Sequence, residues 1–254
     1  MRLDGLSERD RAEVERSAAE AAKVTLNPVE VERYLDPLPD SPHGLEYAFY
    51  LLGDIRGQTV LDLGCGTGEN LIPLVSRGAR VVALDISPDL VDLARRRLES
   101  YGMGKGNATV QVGSAYETGL ADDSVDVVFS MALLHHLDLS QARREIYRIL
   151  RPGGRLILRE PIRFSPTMNS LRKLFPAPSA DISDFEHPLT RDELSVVTQG
   201  FALLAERSFR LPFVPLLTRL GPLRKQVWRL DRWLLRHFPG LGHFATGRVM
   251  CLRK

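Results

Sequence analysis

Gly64, Gly66 and Gly68 alternate with Cys65 and Thr67 directly after an apolar run at 60–63 that carries one carboxylate, Asp62. A run that stops at glycines and is followed by a second apolar run at 71–75 reads as strand, tight turn and helix. Glycine takes positive φ at no steric cost. Lacking Cβ, it also lets the backbone approach a ligand at the positive end of the helix that follows. The spacing narrows the choice of ligand. A dinucleotide loop, G-x-G-x-x-G, needs glycine at 69, where the chain has Glu69, and no Gly-Lys-Ser or Gly-Lys-Thr follows to make a phosphate loop. What remains is G-x-G-x-G with Asp62 beside it, a carboxylate suited to a ligand with a cationic amino-acid end. Asp85 ends a second apolar run at 80–84, seventeen residues beyond Gly68. An acidic residue there is placed to accept both hydroxyls of a ribose.

His135 and His136 follow a later apolar run, 125–130. Neutral imidazole accepts a proton near pH 7, so a histidine here is a candidate general base for a substrate hydroxyl or amine. Neighbours on a helical turn point about 100° apart, so one faces a pocket at a time. His136 is assigned to catalysis and His135 to substrate contact. Two adjacent histidines with no third ligand at helical spacing do not make a metal site.

Strand signals at 59–63, 80–84, 109–112, 125–130 and 155–160 alternate with helix signals ending at Arg77 and spanning 88–101 and 140–150. The alternation predicts parallel strands joined by right-handed crossovers, with ligands beyond the carboxyl ends of the strands. The glycine loop, Asp85, Ser114 and Met131 all fall on that edge. A proline-rich crossing at 36–42 and an aromatic helix at 45–52 precede this core, and residues 246–252 supply a closing strand.

The stretches 60–68, 83–87, 122–130 and 150–156 stand in the order of successive motifs of class I S-adenosylmethionine-dependent methyltransferases. The chain resembles that family over 57–160, and within it the small-molecule branch that includes the ubiquinone and menaquinone methyltransferases. The resemblance implies an α/β fold with a Rossmann-like, mostly parallel, seven-stranded sheet flanked by helices. N-terminal helices (1–56) would cap the site and 57–160 would bind the cofactor. A lid, a helical insertion and closing strands (161–254) would complete one structural domain. The implied cofactor is S-adenosylmethionine, held by Asp62, Gly64, Cys65, Gly66, Gly68, Asp85, Ile86, Ser114, Ala115 and Met131. An aspartate usually stands where Ser114 does. A hydroxyl still accepts from the adenine amino group, without the charge assistance of a carboxylate, so somewhat weaker affinity is expected. The cap nominates Tyr34, His43, Tyr47 and Tyr50, of which Tyr47 and Tyr50 are assigned to substrate. The lid after the fifth strand nominates Glu160, Glu186 and His187 as catalytic or substrate groups. The signature of methyltransferases that act on nucleic-acid bases is missing after the fourth strand.

At 254 residues and 44% hydrophobic, the chain can bury one sizeable α/β core, and a net charge of +2 does not mark a general polyanion binder. Cys65 and Cys251 form no framework, so reduced thiols and a cytoplasmic protein are expected. The N-terminus has no apolar signal-type core, and no run approaches a membrane-spanning length.

From Arg207 onward eleven cations stand against Asp231 alone. On a helix over 223–238, Leu223, Val227, Leu230, Leu234 and Phe238 share one face. Lys225, Arg229, Arg232 and Arg236 lie opposite, with Trp228 and Trp233 on the flanks. A basic amphipathic helix with tryptophans suits an anionic membrane surface or an anionic, lipid-like substrate. Nucleic acid is not expected, because the cations sit on one appended helix without a recognition fold. The function expected is methyl transfer to a small, apolar or lipid-like metabolite. The alternatives are another S-adenosylmethionine-binding enzyme, cyclase-like or aminopropyl-transferring, and a scaffold that keeps only the fold.

Overall fold

The computed structural model describes residues 7–103, 106–164 and 187–254. Seven strands form one sheet: β1 (Thr59–Leu63), β2 (Arg80–Asp85), β3 (Ala108–Val112), β4 (Val125–Met131), β5 (Leu150–Pro161), β6 (Ala202–Phe209) and β7 (Gly247–Arg253). Their order is β3-β2-β1-β4-β5-β7-β6. The first five pair in parallel, and β7 runs antiparallel to both β5 and β6. The order turns back between β1 and β4, so a ligand crevice opens there beyond the carboxyl ends of the strands.

Alternation along each strand divides the core. Val60, Val127, Phe129 and Ile157 point to one face, where α3 (Gly44–Leu52), α4 (Leu71–Ser76) and α5 (Pro88–Ser100) pack. Leu61, Leu63, Val128, Leu156 and Leu158 point to the other, covered by α6 (Leu139–Ile149) and α7 (Arg191–Thr198). Both faces are apolar, so the parallel strands read as continuous hydrophobic runs. Ahead of these, α1 (Glu8–Ala21) is capped by Ser7, whose side chain accepts from the Asp10 N–H, and α2 (Glu32–Leu35) is a single turn.

Three features depart from the sequence reading. Strand β5 begins at Leu150, pairs once with Val125, and bulges before Arg155 pairs with Val127, so the Pro152-Gly153-Gly154 turn lies within the strand. Strand β6 gave no signal of its own, because it is an edge strand with Leu203 and Leu204 exposed and charges between its apolar residues. The basic helix, α9 (Arg224–His237), follows the short α8 (Val214–Leu217) and is rotated from the face drawn on its wheel. Val227 and Asp231 are its buried residues, while Leu223, Leu230 and Phe238 are exposed. The Asp231 carboxylate accepts from the N–H groups of Arg210 and Leu211 at 3.1 and 2.8 Å, which turns that side inward.

Candidate active site

At the switch in strand order a cavity of about 190 Å³ lies over the ends of β1 and β2. Gly64 and Gly66 form one wall, at φ +74 and +50, and a Cβ at Gly66 would meet nothing within 4 Å, so its backbone faces open space. Its N–H donates to Asp85 Oδ2 at 2.9 Å, and the Ser87 N–H donates to Oδ1 at 3.0 Å. Burial raises the Asp85 pKa, with these N–H groups opposing. Each oxygen keeps acceptor capacity toward the cavity. Ile86, Ser114 and Ala115 complete this side.

Helix α1 closes the cavity from above. Asp10, Glu13, Arg16, Ser17 and Glu20 line it, opposite Ala132, Leu133 and His136 of the turn after β4. Glu13 Oε2 lies 3.4 Å from His136 Nδ1, and Glu13 Oε1 is 2.5 Å from the Arg16 guanidinium. Burial alone would raise the Glu13 pKa, but the contacts with His136 and Arg16 outweigh it and hold the carboxyl at about 2. The lining carries more carboxylates than cations, which suits a positively charged ligand.

Residues 61–158 match the family model described as a methyltransferase domain. Over that stretch the chain is similar to class I S-adenosylmethionine-dependent methyltransferases. Among curated proteins, the ubiquinone/menaquinone biosynthesis C-methyltransferase UbiE of Klebsiella pneumoniae is 36% identical over 132 residues, 50% of this chain and 51% of that protein. The chain thus spans about half the length of that relative. The geranyl diphosphate C-methyltransferase of Streptomyces coelicolor, solved with Mg2+, geranyl diphosphate and S-adenosyl-L-homocysteine, superposes with a TM-score of 0.64 at 15% identity, covering 97% of this chain and 98% of that one. The [4+2]-cyclase SpnF superposes at 0.55 with 19% identity, covering 78% and 76%. At these identities the two structures share the fold.

Several residues nominated from the sequence stand elsewhere in the fold. Gly68 lies against α5, where a Cβ would come within 3.0 Å of Ala94 Cβ. Cys65 is buried, with its side chain in the core and its thiol pKa pushed well up by burial. Met131 packs against the core at the end of β4 rather than lining the cavity. Asp62 sits behind the loop, 1% exposed, with no hydrogen-bond partner for Oδ2 among the described residues. Burial, then the nearby Asp85, raises its pKa to about 7. A buried carboxylate with an orphaned oxygen beside the glycine loop fits a cationic group bound in front of it.

The nominated catalytic and substrate groups divide in the same way. His136 lines the cavity; His135 does not, its ring centroid lying 4.0 Å from that of His136. Glu160 is fully buried beneath the turn. One oxygen accepts from the N–H groups of Leu133 and Leu134 at 3.0 and 2.8 Å, and the other is 2.8 Å from His135 Nδ1. With both oxygens committed, Glu160 shapes the turn instead of reaching a substrate. His187 stands in the segment that leads into α7, 3.4 Å from Glu193, away from the cavity. Tyr47 stacks on Tyr50 and carries the Arg207 guanidinium 3.9 Å over its ring, so both tyrosines belong to the α3–β6 surface. Glu186 and much of the expected lid lie outside the described residues.

The acidic face of α1 carries no apolar periodicity and was not expected at the cavity. Asp10, Glu13, Ser17 and Glu20 repeat at spacings of three and four, the helical signal of one face. A search for apolar stripes reads such a face as solvated. Ala132 was also missed: it holds φ +58, unusual for a residue with Cβ, and its N–H donates to the Arg159 carbonyl at 2.7 Å.

Proposed function

We propose that the chain transfers a methyl group from S-adenosylmethionine to a small, apolar or lipid-like acceptor. The observation that carries this reading is that Gly66, Asp85 and His136 line one cavity. Asp85 is placed to accept ribose hydroxyls, Gly66 offers an unobstructed backbone surface, and Ser114 takes the adenine side. When bound, the cofactor supplies a methyl group on a positively charged sulfur. That leaving group is already activated, so the residues mainly hold the acceptor in line and remove a proton. His136 is the base assigned to that proton, and Glu13 stabilises the imidazolium that results. With α1 across the top, water is kept from the reacting atoms. The cyclase-like alternative has only a shared fold behind it.

The exposed strip of α9 favours one addition, contact with an anionic membrane surface. Trp233 and Leu230 are 49% and 46% exposed beside Arg232 and Arg236, the pairing of interfacial aromatics with cations that such helices use. Among the described residues no helix is long and apolar enough to cross a membrane. Co-sedimentation with phosphatidylglycerol vesicles checks this contact. Equal partitioning of the wild type and a Trp233→Gln, Arg232→Gln, Arg236→Gln variant removes it.

Calorimetric titration with S-adenosylmethionine and S-adenosylhomocysteine, beside Asp85→Ala, tests the main reading. Loss of the ribose acceptor should weaken binding by about 1–3 kcal/mol. Absence of binding in the wild type would sink the methyl-transfer assignment.

A further inference from the structure

A second cavity, about 570 Å³, opens between α9 and the segment that enters α3. Arg33, His43, Arg224, Lys225, Trp228 and Arg229 line it. Arg33 is paired with Glu30 and Glu46. Arg224, Lys225 and Arg229 have no ion-pair partner among the described residues. The indole N–H of Trp228 is buried and has no hydrogen-bond acceptor among them, and its ring meets that of His43 edge-on, centroids 4.9 Å apart. Unpaired like charges around one opening repel each other, and a bound anion relieves that repulsion. Guanidinium forks with an indole donor match the several oxygens of a phosphate better than the two of a single carboxylate.

Position links this cavity to the active site. His43 precedes Gly44, where a Cβ would stand 3.4 Å from Arg159 Nε. Arg159 is the register partner of Met131 at the carboxyl ends of β5 and β4. Its guanidinium has no hydrogen bond or ion pair among the described residues, and burial pulls its pKa down. Arg224, Lys225, Arg229 and Arg159, cations without an ion-pair partner among the described residues, therefore run from the mouth of the second cavity to the strand end beside Ala132, which lines the first.

We propose that the second cavity binds the phosphate or diphosphate end of the methyl acceptor, placing its body along His43 and Arg159 toward the turn after β4. The inference rests on the methyl-transfer reading for the identity of the reacting end; the anion site itself does not.

Trp228 and Trp233 are the two tryptophans of the chain, so Trp233→Phe leaves Trp228 as the sole reporter. Inorganic pyrophosphate, titrated into this variant at fixed ionic strength, should shift the Trp228 emission saturably. Adding Arg224→Gln and Arg229→Gln should weaken that response about tenfold or more, while S-adenosylhomocysteine affinity by calorimetry stays unchanged. No saturable shift up to about 10 mM pyrophosphate, or an equal shift in the arginine variant, overturns the proposal. So does a response to phosphatidylglycerol vesicles without one to soluble pyrophosphate, which would make the cations a membrane patch. S-adenosylhomocysteine binding without a pyrophosphate response leaves methyl transfer standing and removes the anion site. Pyrophosphate binding without S-adenosylhomocysteine binding removes the assignment to a methyl acceptor.

Discussion

Glu13 Oε2 stands 3.4 Å from His136 Nδ1, so a carboxylate from the first helix meets a histidine from the turn after the fourth strand across the cavity at the ends of β1 and β2. A base oriented by a carboxylate is the arrangement that keeps one ring nitrogen directed at the substrate. Glu13→Gln should therefore lower the methyl-transfer rate by about tenfold to a hundredfold with little change in S-adenosylhomocysteine affinity. Single-turnover rates set beside calorimetry separate the two. The same pair sets an acid limit. The Glu13 pKa is held at about 2 against an ordinary 4.5, so its stabilising contribution is full above the ordinary value and lost as pH falls from 4.5 toward 2. Hydrogen exchange of α1 should speed up over that window in the wild type and show no such dependence in Glu13→Gln.

Asp62 carries the opposite sign. Its folded-state pKa of about 7 lies above the ordinary 3.8, so the native protein holds a proton that the unfolded chain has lost between those values. Stability contributed by this group falls as pH rises from about 4 to 7 and is level above that. Asp62→Asn should therefore raise the melting temperature of the ligand-free protein at pH 8 and leave it nearly unchanged at pH 4. It should also weaken binding of a cationic cofactor, because the carboxylate behind the glycine loop is gone. If Asp62 answers the cofactor's charge, the wild type should release a proton on binding near pH 7, measurable as a buffer-dependent binding enthalpy.

The glycine-loop side of the cavity was legible because its residues are fixed by backbone geometry. A glycine loop between strand and helix, and an acid at the next strand end, have few other uses, and Gly64, Gly66 and Asp85 all face the cavity. The residues nominated for catalysis and substrate were less so, because aromatic and charged side chains serve packing as readily as chemistry. Tyr47, Tyr50 and His187 were nominated for their type, and tertiary contacts placed them on other surfaces. Glu160 was nominated as a catalytic or substrate group, yet its local sequence gives no sign that it accepts from Leu133 and Leu134, more than twenty residues earlier. The parallel pairing of the core strands followed from the alternation of elements. The edge strand β6 did not, since its exposed leucines break the two-residue period.

Gly66 and Gly68 look equivalent in sequence and should behave differently when changed. A Cβ at Gly68 would meet Ala94 Cβ at 3.0 Å and its Cα at 3.1 Å, with φ at +78, so Gly68→Ala combines a clash against α5 with a strained backbone. A loss of about 2–4 kcal/mol is expected by urea denaturation. At Gly66 nothing lies within 4 Å and φ is +50, so Gly66→Ala should cost about 1 kcal/mol of stability. Its methyl group projects toward the ligand side, so this variant should lose cofactor affinity well beyond its loss of stability. Equal binding by Gly66→Ala and the wild type would remove the loop from the cofactor site.

Asp231, the one acid among the cations of the C-terminal stretch, is buried with both oxygens accepting from backbone N–H groups at Arg210 and Leu211. Arg210 itself holds φ +69, so the chain bends where the carboxylate grips it. Asp231→Ala leaves two N–H groups without acceptors in a buried setting, at about 1–3 kcal/mol, while Asp231→Asn keeps one acceptor oxygen and should lose less. Because α9 is held to the rest of the fold at this point, its amides should exchange faster in Asp231→Ala than those of β1 and β4. The Trp228 environment should loosen with them, and pyrophosphate binding at the second cavity should weaken while S-adenosylhomocysteine binding persists. Loss of both ligands together would show that α9 is integral to the whole domain rather than an appended substrate element.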